Sequence, residues 1–281
     1  HLLKLSELDL QAKDTAAALA HSKEYADANA KSLDGWRFVY PLAKDRKGEE
    51  EAYRKSLEAL SALDTAQRTR FDRELVGVYF QNEKYDDARN VLQRELKKNP
   101  RDADFLFRSA EVASKQQKDS LAAAHYAKAY EVEPGNAVYA RSFGKTVKAP
   151  EAVKNNLSLW KFLATRQPTQ DEKLKLAQSE FMNADYVGAS REWDGLLTGN
   201  DNLRSDPMVY QSYLRANQFP KAKPLMEAKL PTDSTNMELL EDLLTLYKAQ
   251  NNTAGYLNTL ERIVAIDSKR KDYQLQLARE R

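Results

Sequence analysis

The sequence predicts an all-α fold, a solenoid of stacked antiparallel helix pairs. Three observations predict it. Pro100, Pro134 and Pro168 stand 34 residues apart, and each closes a similar block. A fixed period of that length means one supersecondary unit copied and stacked. Apolar residues recur in steps of three and four, the spacing of one helix face, and no convincing alternating strand runs occur. Only nine glycines and nine prolines appear in 281 residues, few enough to leave long helices uninterrupted.

The blocks share their packing residues. Twelve residues before the prolines lie Ala88, Ala122 and Asn156; eight before lie Leu92, Tyr126 and Trp160; five before lie Glu95, Ala129 and Leu163. Val76, Ala110 and Gly144 recur earlier in each block. A small residue lets two helix axes approach closely while the bulky one fills the gap beside it.

Taken in order, residues 1–32 read as an N-terminal helical cap or degenerate repeat. Residues 33–268 read as about seven helix pairs in one continuous array, and 269–281 as a C-terminal capping helix that hides the last apolar face with Tyr273, Leu275 and Leu277. Trp36 opens the first pair, and Pro41 falls inside its first helix, where a kink is expected. Asp64-Thr65-Ala66-Gln67 and Thr169-Gln170-Asp171-Glu172 read as capping boxes or near variants. Asn82-Glu83-Lys84 and Asn251-Asn252 read as turns, and Ala149-Pro150-Glu151 as a helix start with proline first. An irregular joint is expected near 198–207, around Thr198-Gly199-Asn200-Asp201-Asn202. Pro220, Pro224 and Pro231 then crowd one repeat, whose second helix should be short or bent. The superhelix is expected to change direction near 200–231.

The pattern resembles the tetratricopeptide repeat over roughly 33–268. The clearest copy, 69–102, carries Leu75, Val76, Tyr79, Tyr85, Ala88, Leu92 and Pro100. The next, 103–136, keeps Ala110, Ala122, Tyr126, Ala129 and Pro134 but has Ala113 where the family prefers an aromatic residue. The third keeps Phe143-Gly144, Trp160 and Pro168, with Asn156 replacing the usual alanine. Weaker copies carry Trp36, Val39 and Ala52 upstream, and Tyr186, Ala189, Trp193, Phe219, Ala222, Met226 and Tyr247 downstream, with Tyr256 in a small-residue place. The resemblance implies a right-handed superhelix whose first helices line a concave groove. The implied groove residues are Arg37, Lys44, Arg73, Phe80, Phe107, Glu111, Arg141, Lys145, Lys148, Gln178, Phe181, Gln211 and Arg215. Arginine grips carboxylates through paired hydrogen bonds, and rings bury apolar side chains. The implied ligand is therefore a protein or peptide with acidic and apolar residues. Gly77, Glu111 and Lys145 stand where a carboxylate-gripping subclass has asparagines, so that mode of C-terminal tail binding is not implied.

Composition narrows the function class. The 44 basic and 42 acidic residues balance at +2, which argues against bulk electrostatic binding to nucleic acid or an anionic membrane. Cysteine is absent, which removes disulfides and thiol chemistry and slightly favours a bacterial periplasmic or other extracytoplasmic site over the cytoplasm. No phosphate-loop, dinucleotide or zinc-protease motif occurs. The three histidines are scattered, and His125 is expected on the solvated surface. Glu241-Asp242 reads as solvated charge whose members point apart. No catalytic residue, cofactor or metal is expected. The reading is a protein-interaction scaffold, an adaptor in bacterial envelope, secretion or assembly work. The alternative is the substrate-recruiting repeat region of a larger enzyme or regulator, since the chain opens on His1 rather than methionine.

Overall fold

A computed structural model describes residues 1–198 and 200–281; Gly199, within the expected joint, lies outside them. All regular structure among the described residues is helical. The chain divides into two compact units, His1–Phe143 and Gly144–Arg281, where the sequence predicts one array. The first unit holds α1 (Leu2–Gln11), α2 (Thr15–Ala28), α3 (Leu33–Ala43), α4 (Glu50–Leu63), α5 (Arg68–Gln81), α6 (Tyr85–Lys98), α7 (Ala103–Lys115) and α8 (Asp119–Val132). The division falls inside α9 (Ala137–Thr146). The second unit continues with α10 (Pro150–Asn155), α11 (Leu157–Ala164), α12 (Gln170–Met182), α13 (Tyr186–Leu196), a short 3-10 helix (Asp201–Ser205), α14 (Pro207–Arg215), α15 (Phe219–Lys229), α16 (Met237–Ala249), α17 (Thr253–Ile266) and α18 (Lys271–Glu280).

From α1 to α8, and again from α11 to α18, each helix packs on the next in sequence. The small residues sit where helices meet: Ala88, Ala122, Ala189 and Ala222 are buried. Gly144 has the same role in α9, because a β-carbon there would lie 3.1 Å from the Trp160 ring. Each unit has its own apolar core. Leu57, Leu60, Val76 and Leu92 lie in the first; Trp193, Tyr210, Leu243 and Ile263 lie in the second, with Tyr273 and Leu277 of α18 packed against it.

The hairpin turns repeat one backbone device. Glu83, Gln117, Ala184, Asn217 and Asn251 all have positive φ. After each of them an amide reaches back five residues to close the helix: Lys84 to Tyr79, Lys118 to Ala113, Asp185 to Glu180, Gln218 to Tyr213 and Asn252 to Tyr247, at 2.8–2.9 Å. This is the Schellman ending, which satisfies carbonyls the helix would otherwise leave open. Its recurrence makes Tyr79, Ala113, Glu180, Tyr213 and Tyr247 structural equivalents, although no single residue type marks the place.

Several local expectations change. The Thr169 box forms, with Glu172 N–H on Thr169 Oγ1 at 3.2 Å and Thr169 N–H on Glu172 Oε2 at 2.8 Å. The Asp64 box does not. Asp64 accepts the Gln67 amide at 3.2 Å and Arg37 at 2.7 Å, and α5 starts only at Arg68. Pro41 sits in the last turn of α3, which ends two residues later. At Asn156 the predicted second helix breaks into α10 and α11, because the side-chain amide donates to Ala152 O at 2.8 Å and competes with the helical ladder. Helix α15 spans 11 residues against 14 for α6 and α8, with Pro224 inside it.

Ala184 holds φ at 62°, a left-handed conformation in which its β-carbon is crowded. Glycine removes that strain, worth about 1 kcal/mol. Ala184→Gly should therefore raise the thermal midpoint by about 3 °C, measured by circular dichroism.

Candidate functional site

The first helices of the hairpins are α3, α5, α7, α9, α12, α14 and α16. In the first unit, the cations predicted for a groove are largely engaged between neighbouring first helices. Arg37 of α3 donates to Asp64. Lys44 donates to Glu74 of α5 at 3.0 Å, and Glu74 also accepts the hydroxyls of Tyr40 and Tyr53 at 2.7 and 2.6 Å. These three donors hold the Glu74 carboxyl below its ordinary range against the opposing effect of burial. Arg73 of α5 bridges Asp102 and Asp104 at the start of α7, at 2.5 and 2.6 Å, and lies 4.4 Å from the centre of the Phe105 ring. Each bond runs from one hairpin to the next and ties the pair in register. Surface ion pairs of this kind contribute on the order of 0.5 kcal/mol each, with more where one partner is buried.

The predicted rings are half-buried. Phe80 meets Tyr85 edge-on at 5.7 Å. Phe107 packs between Tyr126 and Tyr139, with ring centres 5.5 and 4.9 Å away. Beside them, burial raises the Glu111 carboxyl above its ordinary range, only partly offset by Arg108. Arg141 is half-buried on α9.

In the second unit, Lys145 and Lys148 are exposed and make no ion pair. Gln178 is half-buried on α12. Arg215 stacks over Phe181 and Tyr186, at 5.7 and 5.2 Å, and donates to the Tyr186 hydroxyl at 3.1 Å. Gln211 is buried and donates to Glu238 at 2.8 Å and Asp242 at 3.1 Å, so it joins α14 to α16. Asp242 is thus partly buried, with its pKa raised by that burial, while Glu241 accepts the Tyr273 hydroxyl at 2.9 Å. The two point apart as predicted, but onto neighbours instead of into water.

The equivalence set by the Schellman turns exposes a second pattern, running from the end of each first helix to the preceding second helix. Tyr79 donates to Glu58 of α4 at 2.8 Å, Tyr213 to Asp194 of α13 at 2.9 Å, and Tyr247 to Glu227 of α15 at 2.8 Å. On α12 the polarity is reversed: Glu180 faces Lys161 of α11 at 3.9 Å. Burial, together with Asp185 and Glu192, pushes Glu180 up to about 7 despite Lys161 and Arg191. Gly188 is required opposite it, since a β-carbon there would lie 2.8 Å from the Glu180 carboxyl carbon. At Ala113 the pattern has no member.

Two clefts lie between successive second helices. One, of about 530 Å³, lies between α13 and α15 beside the 3-10 helix; Leu197, Pro224 and Leu225 line it, and Lys221 there is paired with Asp194 at 2.7 Å. The other, of about 350 Å³, lies between α6 and α8 over α7. His125 lines this second cleft and is half-buried, not solvated as predicted; its Nδ1 is buried without a hydrogen-bond partner. Burial, helped by Lys128, holds its pKa below the usual imidazole value. Among the described residues no group of three or more histidine, cysteine, aspartate or glutamate side chains is placed to hold a metal ion, and no helix is long and apolar enough to cross a membrane.

Hairpins with buried alanines at the crossing, a repeated turn and a repeated inter-hairpin clamp define the architecture. The chain has a tetratricopeptide-like fold. No protein-family model matches the chain, and no curated protein matches it. Solved structures similar to it include a tetratricopeptide repeat protein from Parabacteroides merdae ATCC 43184, at 14% identity and TM-score 0.45 over 87% of this chain and 98% of that one. YrrB, a tetratricopeptide protein with an unusual peptide-binding site, is similar at 16% identity and TM-score 0.44 over 66% and 96%. The tetratricopeptide domain of P58(IPK) is similar at 14% and 0.33 over 99% and 96%. Within this tetratricopeptide-like chain, the predicted site residues fall into engaged cations, half-buried rings and a few exposed lysines.

The raised Glu180 pKa has a signed consequence. The native state binds the proton more tightly than the unfolded chain, with its ordinary value of 4.5. Stability from this group is therefore complete below about pH 4.5 and lost as pH rises towards 7. Glu180→Gln should remove the loss and stabilise the protein at pH 8 by on the order of 2 kcal/mol. The check is urea denaturation at pH 5 and pH 8, with the difference between variant and wild type much larger at the higher pH.

Proposed function

We propose that this chain is a protein-interaction scaffold whose first-helix faces take an extended or helical peptide segment bearing acidic and apolar residues. The observation that carries the reading is the state of the rings. Phe107, Tyr126 and Tyr139 meet in one half-buried cluster, already packed before any ligand arrives. Apolar ligand side chains can rest on such rings with little ordering of the receptor. In the second unit, Arg215 is pre-stacked on Phe181 and Tyr186, and exposed Lys145 and Lys148 supply unpaired positive charge.

The engaged residues have a different role. Arg37, Arg73 and Gln211 hold neighbouring hairpins together, so their loss acts first on stability. An adaptor role in the bacterial envelope or in secretion and assembly accords with the cysteine-free, near-neutral composition.

Lys145→Glu with Lys148→Glu reverses two exposed charges and leaves every packing contact intact. In a pull-down of partners, followed by titration of the captured partner's acidic segment, the double variant should bind at least about tenfold more weakly at an unchanged melting temperature. Unchanged capture of every partner would remove the second unit's first-helix face from the reading.

A further inference from the structure

The cleft between α6 and α8 is the place where the inter-hairpin clamp is missing. At three equivalent junctions a tyrosine donates to a carboxylate 19 to 21 residues earlier. At this junction the tyrosine position is Ala113, fixed as equivalent by the Lys118-to-Ala113 backbone bond. Twenty residues earlier stands Gln93, exposed and uncharged. Both members of the clamp are absent together, and Ala113 and Gln93 both line the open cleft of about 350 Å³.

The chemistry of the walls is one-sided. The floor is Leu96, Leu106, Val112 and Ala113, with Leu121 exposed at the edge. Arg89, Lys97, Lys128 and His125 stand around it, and no carboxylate is among the lining residues. Arg89 is held by Asp86 at 3.0 Å, just outside the cleft, but Lys97 and Lys128 have no ion pair. His125 lines the cleft, with its Nδ1 buried and without a hydrogen-bond partner. The cleft thus offers apolar walls of ring size and two uncompensated cations. The corresponding cleft in the second unit keeps its clamp, since Tyr213 and Asp194 both line it, and Asp194 there also neutralises Lys221.

We propose that this cleft is a docking site for a partner chain that inserts a tyrosine side chain over Ala113 and places a neighbouring carboxylate against Lys97 and Lys128, completing from outside the clamp the other hairpins build from within. It shares the scaffold reading above but uses the second-helix side, so the two can fail separately. The phenol ring fills the space over Leu96, Leu106 and Val112. The flanking acid meets charges that have no other partner.

The test uses an acetylated, amidated heptapeptide with one tyrosine flanked by glutamates, together with tyrosine-to-alanine and glutamate-to-glutamine versions. The full chain is followed by NMR of the His125 imidazole, one of only three histidines. The parent peptide should shift that resonance saturably, and each altered peptide should bind at least tenfold more weakly. Ala113→Tyr with Gln93→Glu restores the clamp and should abolish the shift while raising the melting temperature. Lys97→Glu with Lys128→Glu, which changes only exposed side chains, should abolish it with folding intact. Lys145→Glu with Lys148→Glu should leave it unchanged, which separates this site from the first-helix face. No saturable shift at millimolar peptide, equal binding of the alanine peptide, or full binding by the filled cleft would each overturn the proposal. So would displacement of the parent peptide by a single-stranded RNA oligonucleotide that binds more tightly.

Discussion

Ala88, Ala122, Ala189 and Ala222 are each buried where one helix crosses its neighbour, and Gly144 does the same beneath Trp160. The close approach at these residues is the constraint on which both units depend. A larger side chain would push the axes apart and leave Leu92, Trp160 or Trp193 without walls. Interior packing tolerates such displacement poorly, and overpacking typically costs about 1–3 kcal/mol. Once the axes are close, the turn between them has little freedom. The same left-handed residue and the same backbone bond reaching back five residues therefore recur at five hairpins.

Close approach also sets which polar groups can meet. A residue ending one first helix reaches the preceding second helix at a constant place, and the chain uses that place in three ways. Tyrosine on carboxylate is a charge-assisted bond whose ring also fills space. Glutamate facing Lys161 keeps the space filled but leaves a buried carboxyl that resists ionisation. Alanine opposite glutamine leaves the place without a clamp, in a cleft whose lining holds no carboxylate. The repeated structure is therefore fixed, while the chemistry of its individual junctions varies.

A similar division separates the cations. Arg37, Lys44 and Arg73 are long side chains on first helices, and each lies within reach of an acid on the next hairpin, so they become links between repeats. Lys97, Lys128, Lys145 and Lys148 have no such acid and keep their charge available. Net charge near zero hides this difference, because it sums engaged and available charge alike.

The helical class, the hairpin period and most crossing residues were legible in the sequence, because a 34-residue period and small residues at fixed offsets are local signals. Ala113 was legible as a break in the aromatic pattern, though not as a missing clamp. The false capping box at Asp64, the broken helix at Asn156 and the burial of Gln211 and His125 were not legible. The break at Asn156 turns on its own side-chain amide against Ala152 O, and the others depend on a partner brought in from another element: Arg37 on Asp64, Glu238 and Asp242 around Gln211, α6 and α7 around His125. What the sequence alone determined is thus the repeating unit, since its forces act between residues close along the chain. The tertiary structure decided which charges are neutralised and which polar groups meet, because those outcomes depend on distances between hairpins that no local pattern encodes.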